Sequence, residues 1–71
     1  MSIPPLLVLS VLQRRGWTDH RTLRAETGAL RTGDVYAPLM KLLSEDVVER
    51  RSVAKYGYPH ILEWRIKEGA P

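Results

Sequence analysis

From Thr18 to Glu45 the apolar residues of this chain recur at helical spacing on either side of a glycine, and from Val47 to Ile66 the pattern changes to partial alternation. A change of period from 3.6 to 2 marks where helix gives way to strand. A short helix is predicted over residues 19–27, capped by Thr18 or Asp19, with Leu23 and Ala25 buried and Arg21, Arg24 and Glu26 in solvent. Gly28 supplies the left-handed residue that ends it. The next helix, over about residues 33–45, starts after Thr32 or Asp34. Its Val35, Leu39, Leu42 and Leu43 stand at i, i+4, i+7 and i+8, one apolar stripe, which leaves Tyr36, Ala37, Met40, Lys41 and Ser44 on or near the other face.

Pro38 conflicts with that helix, because an interior proline loses a hydrogen bond at a cost of about 3 kcal/mol. The expectation is therefore a helix that starts late enough to keep Pro38 near its first turn. Asp46 stands where a glycine is usual after such a helix and has to adopt the left-handed conformation itself. Residues 47–66 then read as a two-stranded hairpin, with a turn around Gly57 and Leu62, Trp64 and Ile66 on one buried face. Trp17 begins a short extended step, Trp17 and Trp64 are both expected in the core, and Glu68–Pro71 is expected to be a frayed tail.

Ahead of these elements a first helix is expected over about residues 4–15, started by proline, closed by Gly16, and with Arg14 and Arg15 at the negative end of its dipole. Leu6, Leu7, Val8, Leu9, Val11 and Leu12 surround nearly its whole circumference. A helix apolar all round has to be covered on more than one side, which points to a homodimer through this helix. Folding back of the N-terminal residues, or cover from the hairpin strand, would serve the same end.

A chain of 71 residues makes one domain and hides only about 60% of the surface its unfolded form exposes. Cysteine is absent, which removes thiolate metal sites and cysteine nucleophiles and fits a reducing, cytoplasmic setting. The run Pro4–Leu12 is too short to span a bilayer, and with no base before it and two after it, it lacks the flanks of a signal peptide. His20 and His60 stand apart, no HExxH or glycine-rich phosphate loop occurs, and no convergent catalytic set is found. Neither an enzymatic role nor a cofactor, metal or small-molecule effector is expected.

Three helices followed by a two-stranded hairpin give an α+β domain with the outline of a winged helix-turn-helix. The segments "LRAETGA", "DVYAPLMKLLSEDVVERR" and "EWRI" carry a closer likeness. With them the chain resembles winged-helix transcriptional regulators of the broad type that includes the PadR-like and MarR-like families. Val35-Tyr36, Leu39, Leu42 and Val47-Val48-Glu49-Arg50 fall on positions of that pattern, while Asp46 replaces its glycine. The resemblance implies a small microbial, phage or plasmid regulator that binds duplex DNA, with the third helix in the major groove and the wing on the backbone.

Candidate DNA contacts are Arg31, Thr32, Tyr36 and Lys41 on or before the third helix, and Arg50, Arg51, Lys55, Tyr56 and Tyr58 in the wing. Between Glu49 and Glu63 the only charged residues are Arg50, Arg51 and Lys55, so the wing reads as the basic patch. From Thr18 through Glu45, by contrast, Arg21, Arg24, Arg31 and Lys41 are cancelled by Asp19, Glu26, Asp34 and Glu45. That neutral helical unit, with two tyrosines in the wing turn, leaves a second reading open: a winged helix used for protein interaction or assembly. The chain's net charge of +3 favours a polyanion without deciding between them.

Overall fold

A proline at the start and a glycine at the end delimit the first helix, α1 (Pro5–Arg15), in the computed structural model, which describes residues 3–69. Gly16 turns the chain at φ 73° and ψ −134°, a region closed to side chains, and its N–H still closes the last turn on the Leu12 carbonyl. Val8, Val11 and Leu12 of α1 are buried, Leu9 is half-buried, and Leu6 and Leu7 remain exposed. A two-residue strand β1 (Thr18–Asp19) leads into α2 (His20–Thr27), whose N-cap is Asp19 and whose end is the left-handed Gly28. Leu23 is buried as expected, whereas Ala25 faces solvent.

Helix α3 (Thr32–Ser44) begins one residue earlier than the sequence indicates, with Thr32 as its first residue and Arg31 at the cap position. Pro38 therefore lies well inside it, not near its first turn. The reason is a donor from elsewhere in the chain. Proline at 38 deprives the Asp34 carbonyl of its helical partner, and the backbone N–H of Ile3 takes that place at 3.1 Å. At the other end Asp46, at φ 63°, closes the helix: its N–H bonds the Leu43 carbonyl and the Val47 N–H bonds that of Leu42, the two links of a Schellman motif.

The hairpin is β2 (Val48–Lys55) and β3 (Tyr58–Ile66), joined by Tyr56 and Gly57, both at positive φ, the pattern of a type I′ turn. Pairing shifts between Val53↔Ile61 and Lys55↔Tyr58, leaving one extra residue on β3, where Pro59 has no N–H to give the ladder. The sheet has three antiparallel strands in the order β1-β3-β2, not the two of the expected hairpin. The third arises because Thr18 and Asp19 pair with Trp64 and Glu63. This cover stops there, so β3 keeps an open edge from Tyr58 to Leu62.

Trp64, fully buried, and Val48 join Val8, Val11, Leu12, Leu23, Val35, Leu39 and Leu42 in one core between the sheet and the three helices. Trp17 is not in it. Its ring lies on the opposite sheet face between the guanidinium groups of Arg51 and Arg65, at 4.3 and 4.6 Å, where a half-exposed indole gains cation–π contacts. Of the expected tail, Ala70 and Pro71 lie outside the described residues.

Candidate nucleic-acid interface

The outward face of α3 is made by the residues its apolar stripe excludes: Tyr36, Ala37, Met40, Lys41 and Ser44 are all exposed, as are Arg31 and Thr32 at its start. Tyr36 stands edge-on to His20 and Trp64, with ring centroids 5.8 and 6.1 Å apart. Beside it, the Arg50 guanidinium lies 5.6 Å above the Trp64 ring and 3.8 Å from the Met40 sulfur, so β2 places a cation against the helix face.

The remaining wing cations are engaged elsewhere. Glu63, buried on β3, accepts from Arg51 at 2.8 Å and from Lys55 at 3.0 Å. Burial pushes the Glu63 carboxyl up, but the hydrogen bonds and charges of Arg51 and Lys55 outweigh it and hold the group below its ordinary value. Lys55 also pairs with the Asp19 carboxylate at 2.9 Å. The other Asp19 oxygen accepts the Thr22 N–H at 2.8 Å, which caps α2. Burial raises Asp19 too, and is overcome by hydrogen bonds from the Thr22 backbone, Lys55, and the Thr22 and Tyr56 hydroxyls, leaving its pKa at about 2. Lys55 is raised in turn, chiefly by its hydrogen bonds to Asp19 and Glu63. The basic patch read from residues 50–55 is thus largely a neutral cross-strand network, because the acids that balance it come from β1 and the far half of β3.

The same pairing frees the helical unit. Glu26 is taken by Arg14 and Arg15 of α1 at 3.3 and 3.2 Å, and Asp19 by Lys55. Arg65 pairs with Glu49 and Lys67 with Asp46. Among the described residues that leaves Arg21, Arg24, Arg31, Lys41 and Arg50 without a carboxylate partner. Arg24 donates to the Leu30 carbonyl and braces the turn between α2 and α3. Arg21, Arg31, Lys41 and Arg50 are exposed.

Along the open edge of β3 a cleft of about 720 Å³ separates the hairpin tip from α2 and the start of α3. Arg21, Arg24 and Thr32 line one side, and Tyr56, Tyr58 and His60 the other. Arg21 stacks over the Tyr56 ring at 4.9 Å. The structure thus brings Thr32, Tyr56 and Tyr58 of the expected contacts to one cleft, keeps Tyr36 and Arg50 together beside α3, and leaves Arg31 and Lys41 on the surface of that unit. Arg21, His20 and Glu63 are the additions. The alternation of Leu62, Trp64 and Ile66 could have flagged Glu63 as facing Arg51, whereas nothing in the local sequence singles out Arg21.

No family model, curated protein or solved structure matches the chain. Its geometry is the remaining guide. Among the described residues no group of three or more His, Cys, Asp or Glu is arranged to hold a metal ion, and no helix is long and apolar enough to cross a membrane.

Proposed function

We propose that the protein is a winged helix-turn-helix that binds duplex DNA as a small transcriptional regulator, with α3 entering the major groove and the β2–β3 hairpin flanking the backbone. One observation carries this reading. The acids Asp19 and Glu26 are neutralised by cations from outside the α2–α3 unit, so Arg21, Arg31, Lys41 and Arg50 face solvent with no carboxylate partner among the described residues. Four exposed cations around one helix supply the phosphate contacts such a complex needs. Arg31, Thr32, Tyr36 and Lys41 read sequence, and Arg21 and Arg50 hold the backbone. Arg51 and Lys55 hold the hairpin together instead.

The working unit in this reading is a homodimer through α1. Leu6, 79% exposed, and Leu7, 41% exposed, support it, since an isolated subunit leaves both in water. Two copies would set their α3 helices about 34–36 Å apart on a palindromic site.

Fluorescence anisotropy against a mixed pool of duplexes tests the DNA reading. Affinity is expected to fall with salt at a log–log slope of about −0.9 per phosphate neutralised, Arg21→Ala or Arg50→Ala to shallow that slope by about one phosphate, and Arg31→Ala or Lys41→Ala to change the preference among sequences. No binding at about 50 mM salt, where electrostatic complexes are favoured, overturns it.

A further inference from the structure

We propose that the cleft beside the open edge of β3 holds an unpaired nucleotide, its base against Tyr58 and its phosphate at Arg21; this rests on the nucleic-acid reading above. At about 720 Å³ the cleft falls within the range of small-molecule pockets and admits a whole nucleotide. Its chemistry divides as a nucleotide does. Tyr58 is 64% exposed and its side chain makes no ring contact or hydrogen bond among the described residues, and His60, two residues on, is exposed as well. Both flank the bulge at Pro59: Tyr58 pairs with Lys55 at the end of the hairpin, and the His60 ring lies 3.4 Å from the Ser52 hydroxyl on β2. Across the cleft Arg21 offers a guanidinium with no carboxylate partner, held in place by its stack on Tyr56 at 4.9 Å.

Asp19 is the acid in the cleft wall, and it does not repel a phosphate. Its side chain is fully buried, one oxygen bonds the Thr22 N–H, and the other pairs with Lys55. A fully paired duplex keeps the faces of its bases stacked and shows only their edges in the grooves, so the exposed rings of Tyr58 and His60 would meet no π-face. An unpaired base gives them one, and stacking of this kind tolerates any base. The cleft therefore selects for strand distortion at a point where α3 selects for sequence.

The test uses the intact protein and three labelled DNAs: a paired duplex, the same duplex with one bulged thymidine, and the same with an abasic bulge that keeps the phosphate but lacks the ring. The bulged thymidine is expected to bind roughly tenfold tighter than the paired duplex, and the abasic bulge to lose that gain. Tyr58→Ala and His60→Ala, both at exposed positions and checked for native circular dichroism, are expected to bring the bulged-to-paired ratio towards one. The proposal is overturned by equal affinity for paired and bulged duplex, by an abasic bulge that binds as well as thymidine, or by a ratio unchanged in both variants. Binding to the bulged duplex alone, with none to the paired one, overturns the duplex reading and supports the cleft. Binding to none of the three overturns both.

Discussion

The indole N–H of Trp64 donates to Nε2 of His20 at 2.7 Å. This bond joins the buried centre of β3 to the first residue of α2, and it requires a neutral imidazole with its proton on Nδ1. The two rings lie nearly parallel at 5.9 Å, and Tyr36 of α3 meets both edge-on. His20 is thus a joint between the sheet and both helices of the proposed reading unit.

Stability is expected to fall as the solution is acidified through the range where His20 titrates. Burial lowers its pKa below the ordinary 6.5, against an opposing pull from the Asp19 charge. The unfolded chain then binds more protons than the folded one in the window below pH 6.5, so the contribution is complete above that value and is lost as pH falls through the folded pKa. Thermal melts between pH 7 and 5 are expected to show this decline. His20→Asn, which keeps an acceptor but does not titrate, is expected to flatten it.

Asp19 acts at a lower pH. With its pKa at about 2 against an ordinary 3.8, its stabilisation is present above pH 3.8 and is lost as pH falls towards 2. Asp19→Asn retains an oxygen for the Thr22 N–H, whereas Asp19→Ala removes the cap as well. The alanine variant is expected to be less stable than the asparagine variant by about 1 kcal/mol in chemical denaturation.

Arg51 and Lys55 are expected to act on folding, not on DNA. Lys55→Ala strips partners from two buried carboxylates and is expected to destabilise by about 1–3 kcal/mol, below the range for fully buried pairs because Lys55 is 35% exposed. Its salt slope in DNA binding is expected to match that of the wild type, while Arg21→Ala shallows the slope and leaves the melt unchanged. Comparing melts and salt titrations across the variants separates the two groups.

The Ile3 N–H and Pro38 are expected to be coupled. Ile3→Pro removes the donor that satisfies the Asp34 carbonyl and is expected to cost about 1–3 kcal/mol. In a Pro38→Ala background, the new N–H at position 38 supplies the helical bond, and the cost of Ile3→Pro is expected to shrink. A double-mutant cycle measured by denaturant unfolding reads the difference.

Those features with a local cause were legible in the sequence. Val35, Leu39 and Leu42 mark the buried side of α3 by spacing alone, Gly28 marks the turn, and Asp46 marks a left-handed closure. What escaped is set by residues far apart in the chain. Two residues are too few to show the alternation of a strand, so Thr18 and Asp19 reveal β1 only through their partners Trp64 and Glu63. Pro38 argued for a later helix start because its compensating donor is Ile3. Charge counted along the chain made the hairpin basic and the helical unit neutral, and pairing across strands and between helices reverses that picture. Trp17 was expected inside for its size and is held outside by two arginines instead.

Apart from the outer side of the two-residue β1, the sheet leaves two edges unpaired among the described residues, one along β2 and one along β3 from Tyr58 to Leu62. Each presents backbone groups that a neighbouring copy could extend into a filament. On β2 the exposed charge of Arg50 discourages that approach, and on β3 Pro59 and its bulge break the straight run of donors. Replacing Pro59 with a β-branched residue would leave the native contacts nearly intact and remove this guard, so position 59 bears on how the protein behaves when crowded more than on how firmly it folds.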